Sequence, residues 1–132
     1  MSPENLEVVK EAVVAFNERD VERFAALTAT DFEWLPSMSP IEGGRFLGHD
    51  GVRRYFGALG SAWESFQIFP AEFREHREGV LVLARLEGRG KGSGATVDAS
   101  LGMAFDLRDA KISRIRGYLD QDEALKAVGL EQ

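Results

Sequence analysis

The sequence predicts an α+β fold, a curved antiparallel sheet covered by N-terminal helices. Three observations carry that prediction. The run Val80 to Asp120 holds three apolar segments, Val80–Leu86, Thr96–Leu107 and Ile112–Leu119, with glycine-rich sequence after the first and a short charged turn after the second. Short β-branched and aromatic runs bounded by turn residues read as strands, here an antiparallel meander. Upstream, Leu6, Val9, Val13 and Phe16, and later Val52, Tyr55, Phe56 and Leu59, recur at helical spacing. Helices gathered ahead of the main run of strands pack on a face of the sheet, which defines the α+β class.

The elements follow in order. Ser2-Pro3-Glu4 is a helix start, with a hydroxyl cap, proline at the first helical position and an acid facing the positive dipole end. Asn17-Glu18-Arg19 breaks that helix. Asp20 caps a second through Leu27, and so short a link places the two side by side. Asp31–Leu35 alternates as a strand and stops at Pro36; Ser37 to Gly44 is a loop, and Arg45-Phe46-Leu47 a short strand. The third helix begins at Gly48-His49-Asp50-Gly51 and is expected to end at Gly60. Phe66 to Phe73 is a strand with Pro70 inside, so it lies at an edge or kinks there. In the meander, Leu101, Met103, Phe105 and Leu107 share one face, and Ile115, Gly117 and Leu119 share one face of the last strand. Asp109-Ala110 stands where a tight hairpin usually has Asp-Gly, so the loop is longer than two residues or tolerates strain. Asp120 and Glu123 form a capping box for a closing helix that ends at Gly129.

Bulk properties narrow the function classes. The chain has 132 residues, 44% hydrophobic and 29% charged, which suits one domain, residues 1–132, with one core. A net charge of −6 argues against a broad nucleic-acid surface. With no cysteine there is neither a disulfide framework nor a thiolate site. Two distant histidines make no metal site by spacing, and no cofactor is expected. The longest apolar runs are too short to cross a bilayer, and the N-terminus has no signal-peptide stretch, so a cytoplasmic location is the expectation.

A curved sheet closed by helices encloses a conical interior, and the aromatic residues that point inward are too few to fill it, so a pocket for a hydrophobic small molecule is expected. Trp34, Tyr55, Phe56 and Trp63 are its wall candidates: large rings give shape, and the indole N–H and phenol O–H can orient a ligand. Arg116 and Arg85 could fork onto a ligand carboxylate, or pair with cross-strand acids. Asp120 could act as a general base if buried, with Tyr118 as a proton donor; otherwise Asp120 is a helix cap and Tyr118 a half-buried strand residue. His49 reads as a cap position, and His76 as part of a polar turn. Gly88 to Gly94 feeds a strand rather than a helix, so it is a hairpin loop and not a phosphate cradle.

Several stretches together resemble a known family. They are the helix Leu6–Asn17 with Asn17-Glu18-Arg19-Asp20, then Asp31-Phe32-Glu33-Trp34, Glu42-Gly43-Gly44 and Gly48-His49-Asp50-Gly51-Val52-Arg53-Arg54-Tyr55-Phe56. Tyr118-Leu119-Asp120, Glu123-Ala124-Leu125 and Gly129-Leu130 complete the set. Over nearly its whole length the chain resembles the SnoaL-like proteins of the nuclear transport factor 2-like superfamily. That resemblance implies a cone-shaped α+β barrel, and a homodimer packed through the outer face of the sheet. It also implies function classes that range from isomerases, epoxide hydrolases and polyketide cyclases to non-catalytic binders. Ketosteroid isomerases of the superfamily carry tyrosine, aspartate and a carboxylic acid where this chain has Ala12, Pro36 and Gly102. Its cyclases pair a meander histidine, near Met103 here, with a late aspartate, near Asp120. Its epoxide hydrolases use an Asp-Arg-Asp relay, of which Arg116 and Asp120 offer a part. Two functional expectations result. One is a small-molecule-binding domain with an apolar pocket, either a binder or a proton-transfer enzyme of isomerase, cyclase or hydrolase type acting on a hydrophobic metabolite. Asp120 and Tyr118 are the polar pair if it is an enzyme, and Met103 and Arg116 join the ligand contacts. The other is a non-catalytic dimeric module.

Overall fold

The computed structural model describes residues 3–36 and 45–130. The expected Ser2 cap and the loop Ser37 to Gly44 lie outside the described residues. The elements run α1 (Pro3–Asn17), α2 (Val21–Ala26), β1 (Thr28–Leu35), β2 (Phe46–Leu47), α3 (Gly48–Ala62), β3 (Trp63–Glu75), β4 (Gly79–Gly90), β5 (Thr96–Arg108), β6 (Lys111–Tyr118) and α4 (Gln121–Ala127). The strands form one sheet in the order β2-β1-β6-β5-β4-β3. The meander β3 to β6 is antiparallel throughout, while β1 joins β6 in parallel, Trp34 opposite Ile115.

The α1 stripe buries Val9, Ala12, Val13 and Phe16. Asp20 caps α2 by accepting from the Arg23 backbone N–H at 3.3 Å. The predicted helices and the concave face of the sheet close on a shared core. It is built from Phe24, Phe32, Trp34, Phe46 and Phe56, with Val80, Val82, Met103, Phe105 and Ile115 from the strands. Trp34 is the hub. Its ring stacks on Phe24 at 5.0 Å and 8°, lies 4.2 Å from Tyr55, and meets Phe16, Phe32 and Phe56 at steeper angles. Offset and edge-on contacts of this kind favour aromatic pairs beyond their burial.

One local expectation changes, and two points that the sequence left open are decided. The third helix does not end at Gly60 but continues to Ala62 and passes directly into β3. Lys91 takes over the capping role: its ammonium donates to the Gly60 carbonyl at 2.7 Å and its backbone N–H to that of Ala62 at 3.0 Å. The last helix lies on the opposite face of the sheet from the other three, where Ala124 packs with Leu81, Leu83 and Ala104, and with Tyr118 at the margin. Gly102 makes this possible, because a β-carbon there would stand 2.4 Å from that of Ala124. The β5–β6 hairpin keeps its two-residue loop, with Asp109 at φ 54° and Ala110 at φ 60°. That is a type I′ turn, and alanine accepts the left-handed strain.

Pro70 satisfies both readings of its strand. β3 is an edge strand, and its register against β4 shifts between Pro70 and Glu72. The turn after α1 is sewn to this edge. The Asn17 amide donates to the Ile68 carbonyl at 2.8 Å and accepts from the Ile68 N–H at 2.9 Å, while the Arg19 guanidinium donates to the Phe66 carbonyl at 2.5 Å.

Candidate functional site

Strand parity decides what faces the cone. Met103 pairs with Gly117 and Phe105 with Ile115, so these four residues share the concave face. Their neighbours Ala104, Arg116, Gly102 and Tyr118 share the convex one. A cleft of about 30 Å³ opens between Trp34, Tyr55, Phe66, Leu101, Met103 and Gly117. A second void of about 20 Å³ lies among Ala12, Phe24, Trp34, Met103 and Phe105. Each has room for about one water, against several hundred Å³ for a typical ligand site. The roomy interior expected from the sequence is therefore largely filled, because Phe16, Phe24, Phe32 and Phe56 crowd around Trp34.

The sequence-predicted residues divide accordingly. Trp34, Tyr55 and Met103 meet at the cleft. Phe56 is buried against Trp34 and Phe16 but lines an outer groove rather than the cleft. Trp63 lies beside Phe66 and faces that groove too. Arg116 and Tyr118 lie on the face turned away from the cleft, a consequence of the two-residue period of β6. Asp120 is exposed and caps α4, its carboxylate accepting from the N–H groups of Asp122 at 2.8 Å and Glu123 at 3.3 Å. Arg85 is exposed and pairs with the cross-strand Asp98 at 2.7 Å. Phe66, Leu86 and Leu101 line the cleft without having been singled out. The signal for Leu101 was present, since it shares the face of Met103.

Electrostatics separate the two faces of the sheet. Among the described residues, the lining of the cleft carries neither a carboxylate nor an imidazole. Its polar side chains are the Trp34 indole and the Tyr55 phenol. Burial pushes the Tyr55 phenol far above its usual range, with the nearby Arg19 cation opposing, so at neutral pH it is a hydrogen-bond donor and not a base. The convex face holds the ionisable groups. The Asp106 carboxylate accepts from Arg114 at 2.9 Å and 2.8 Å and lies 3.5 Å from Arg116. Arg114 is held all the more firmly in its charged form by that bond. His76 is 8% exposed beside this cluster; its Nδ1 accepts from the Glu78 N–H at 3.2 Å, which leaves the proton on Nε2. That Nε2 and the Arg116 Nε are buried without an acceptor among the described residues. No group of three or more His, Asp or Glu able to hold a metal occurs among the described residues. No described helix is long and apolar enough to cross a membrane.

Comparisons with known proteins agree on the architecture. An NTF2-like protein from Burkholderia xenovorans superposes with a TM-score of 0.78 at 28% identity, over 97% of this chain and 98% of that one. TerC, crystallised with polyporic acid, superposes at 0.77 and 23% identity, over 95% and 97%. A protein of ketosteroid isomerase-like fold from Catenulispora acidiphila, in complex with trimethylamine, superposes at 0.76 and 16% identity, over 98% and 95%. At such identities the last two establish the fold alone. No curated protein sequence matches the chain. The model of the SnoaL-like domain matches residues 9–115, from within α1 to within β6. With that match and this cone of helices and strands, the chain belongs to the SnoaL-like domain family.

Proposed function

We propose that the chain binds a small apolar or aromatic molecule in the cone, between Trp34, Tyr55 and Met103, and does not use acid–base chemistry there. The observation that carries this reading is the lining: rings and aliphatic carbon, with one indole and one phenol as hydrogen-bond donors. Such a wall favours a ligand that is mostly carbon with one acceptor atom. Two neighbours of the same fold hold small molecules, polyporic acid in TerC and trimethylamine in the Catenulispora protein. The cleft must widen to admit a ring, and the unbranched thioether of Met103 is the side chain best able to move. Proton transfer by Asp120 and Tyr118 would need a different site, since one caps α4 and the other lies on the convex face.

Toluene and p-cresol titrated into the isotopically labelled protein test the reading. Shifts centred on the Trp34 indole N–H and the Met103 methyl are expected, stronger for p-cresol because it offers an acceptor oxygen. Unperturbed cone resonances at saturating probe would refute it. The homodimer implied by the family would use the convex face, where Phe69 stays 47% exposed on the polar side of β3. Native mass spectrometry reads this directly, and a monomer mass at micromolar concentration would remove it.

A further inference from the structure

We propose a second ligand site outside the cone, in the groove between α2, α3 and the start of β3, for a planar aromatic anion. The groove has about 730 Å³ of space open to solvent, against about 30 Å³ for the cleft within the cone. Its floor contains Gly57 and Gly60. Glycine in the middle of a helix is disfavoured. A β-carbon at either position would meet no atom within 4 Å, so packing inside the chain does not require the two glycines. What they do is leave the floor flat and the α3 backbone approachable. Trp63, half-buried against Phe66, supplies an aromatic wall.

Charge completes the argument. Glu22 and Arg53 line the groove as an ion pair, with both guanidinium contacts at 3.0 Å, and Arg53 also reaches Asp50 at 3.3 Å. Glu64 leans toward Arg89 at 3.9 Å. Arg19 and Lys91 have no carboxylate partner among the described residues. Arg19 donates to two backbone carbonyls, and Lys91 to that of Gly60 with two ammonium protons to spare. Partial burial lowers the pKa of Arg19, the sign of a cation held where its charge is poorly solvated. Two cations without a carboxylate partner, lining one groove with an indole, suit an aromatic ring bearing a carboxylate or sulfonate.

The probe pair is 2-naphthoate and 2-naphthylmethanol, the same rings with and without the anion, followed by amide and indole NMR. Naphthoate should shift the Trp63 indole N–H and the amides of Gly57, Gly60 and Lys91. Naphthylmethanol should bind about tenfold more weakly. Gly57→Leu should fill the floor and weaken naphthoate about tenfold while the thermal midpoint holds or rises. Lys91→Gln, at an exposed loop position, should weaken it by about fivefold. Equal affinity for the neutral analogue, naphthoate binding unchanged by Gly57→Leu, or shifts centred on Trp34 and Met103 would overturn the proposal. The cone reading fails separately, because its probes report at Trp34 and not at Trp63.

Discussion

The two faces of the sheet are made of the same strands and do opposite things. The concave face is carbon: Val80, Val82, Met103, Phe105 and Ile115 meet the rings of Trp34, Phe24 and Phe56. The convex face carries a small apolar patch under α4, around Leu81, Leu83 and Ala104, and beside it the Asp106–Arg114–Arg116 cluster with His76. The lesson is one of placement. The ionisable side chains that would suit proton transfer are separated by the thickness of a sheet from the hollow where a ligand could sit. One residue of register would exchange the two faces, since the period of a strand is two.

The comparison can be broken most forcefully on the concave side. Phe24→Ala removes a ring that is 2% exposed and stacked on Trp34, and should cost about 3–5 kcal/mol in urea unfolding. A loss under about 1 kcal/mol would mean that the aromatic cluster can collapse into the gap. On the convex side, Gly102→Val drives a side chain into Ala124 and should cost about 1–3 kcal/mol by displacing α4. Amide exchange in α4 should rise while that in α1 stays unchanged. If both helices loosen together, the two faces are not independent.

The smallest effect is the pH response of His76. Burial holds its imidazole below the ordinary value; Arg116 adds to this, while Asp106 and Glu78 oppose it. As pH falls through about 6.5 the unfolded chain therefore takes up the proton first, and stability declines until the folded-state pKa is reached. His76→Asn keeps an acceptor for the Glu78 N–H and removes the titration. Between about pH 7.5 and 5.5 its urea midpoint should fall less than that of the parent chain. Equal falls would assign the response to other groups.

Much of this arrangement is legible in the sequence, and the rest is hidden for definite reasons. Helical spacing marked the buried faces of α1 and α3, and turn chemistry marked the meander, because both are local. The parallel pairing of β1 with β6 joins segments far apart in the chain, and neither segment records its partner. Whether Arg116 or Gly117 faces the cone depends on Met103 standing opposite Gly117, a fact of register and not of composition. That is why Trp34, Tyr55 and Met103 could be gathered from the sequence while Tyr118 could not be excluded from the set. Gly60 looked like a helix stop because nothing nearby showed that Lys91, from another hairpin, would take the carbonyls. His76 sits among charged neighbours and read as part of a polar turn, yet it is only 8% exposed, near Asp106 of β5 and Arg116 of β6.

The stitching of α1 to β3 has an effect beyond holding the helix. Phe66, Ile68 and Pro70 present their outward main-chain groups along the free margin of the sheet. Arg19 occupies the carbonyl of the first, Asn17 both groups of the second, and the imino acid has no proton to give. A stray extended peptide arriving at that border would find the Phe66 carbonyl and both Ile68 groups engaged and no donor at Pro70, which leaves this part of a thirteen-residue edge strand a poor template for pairing.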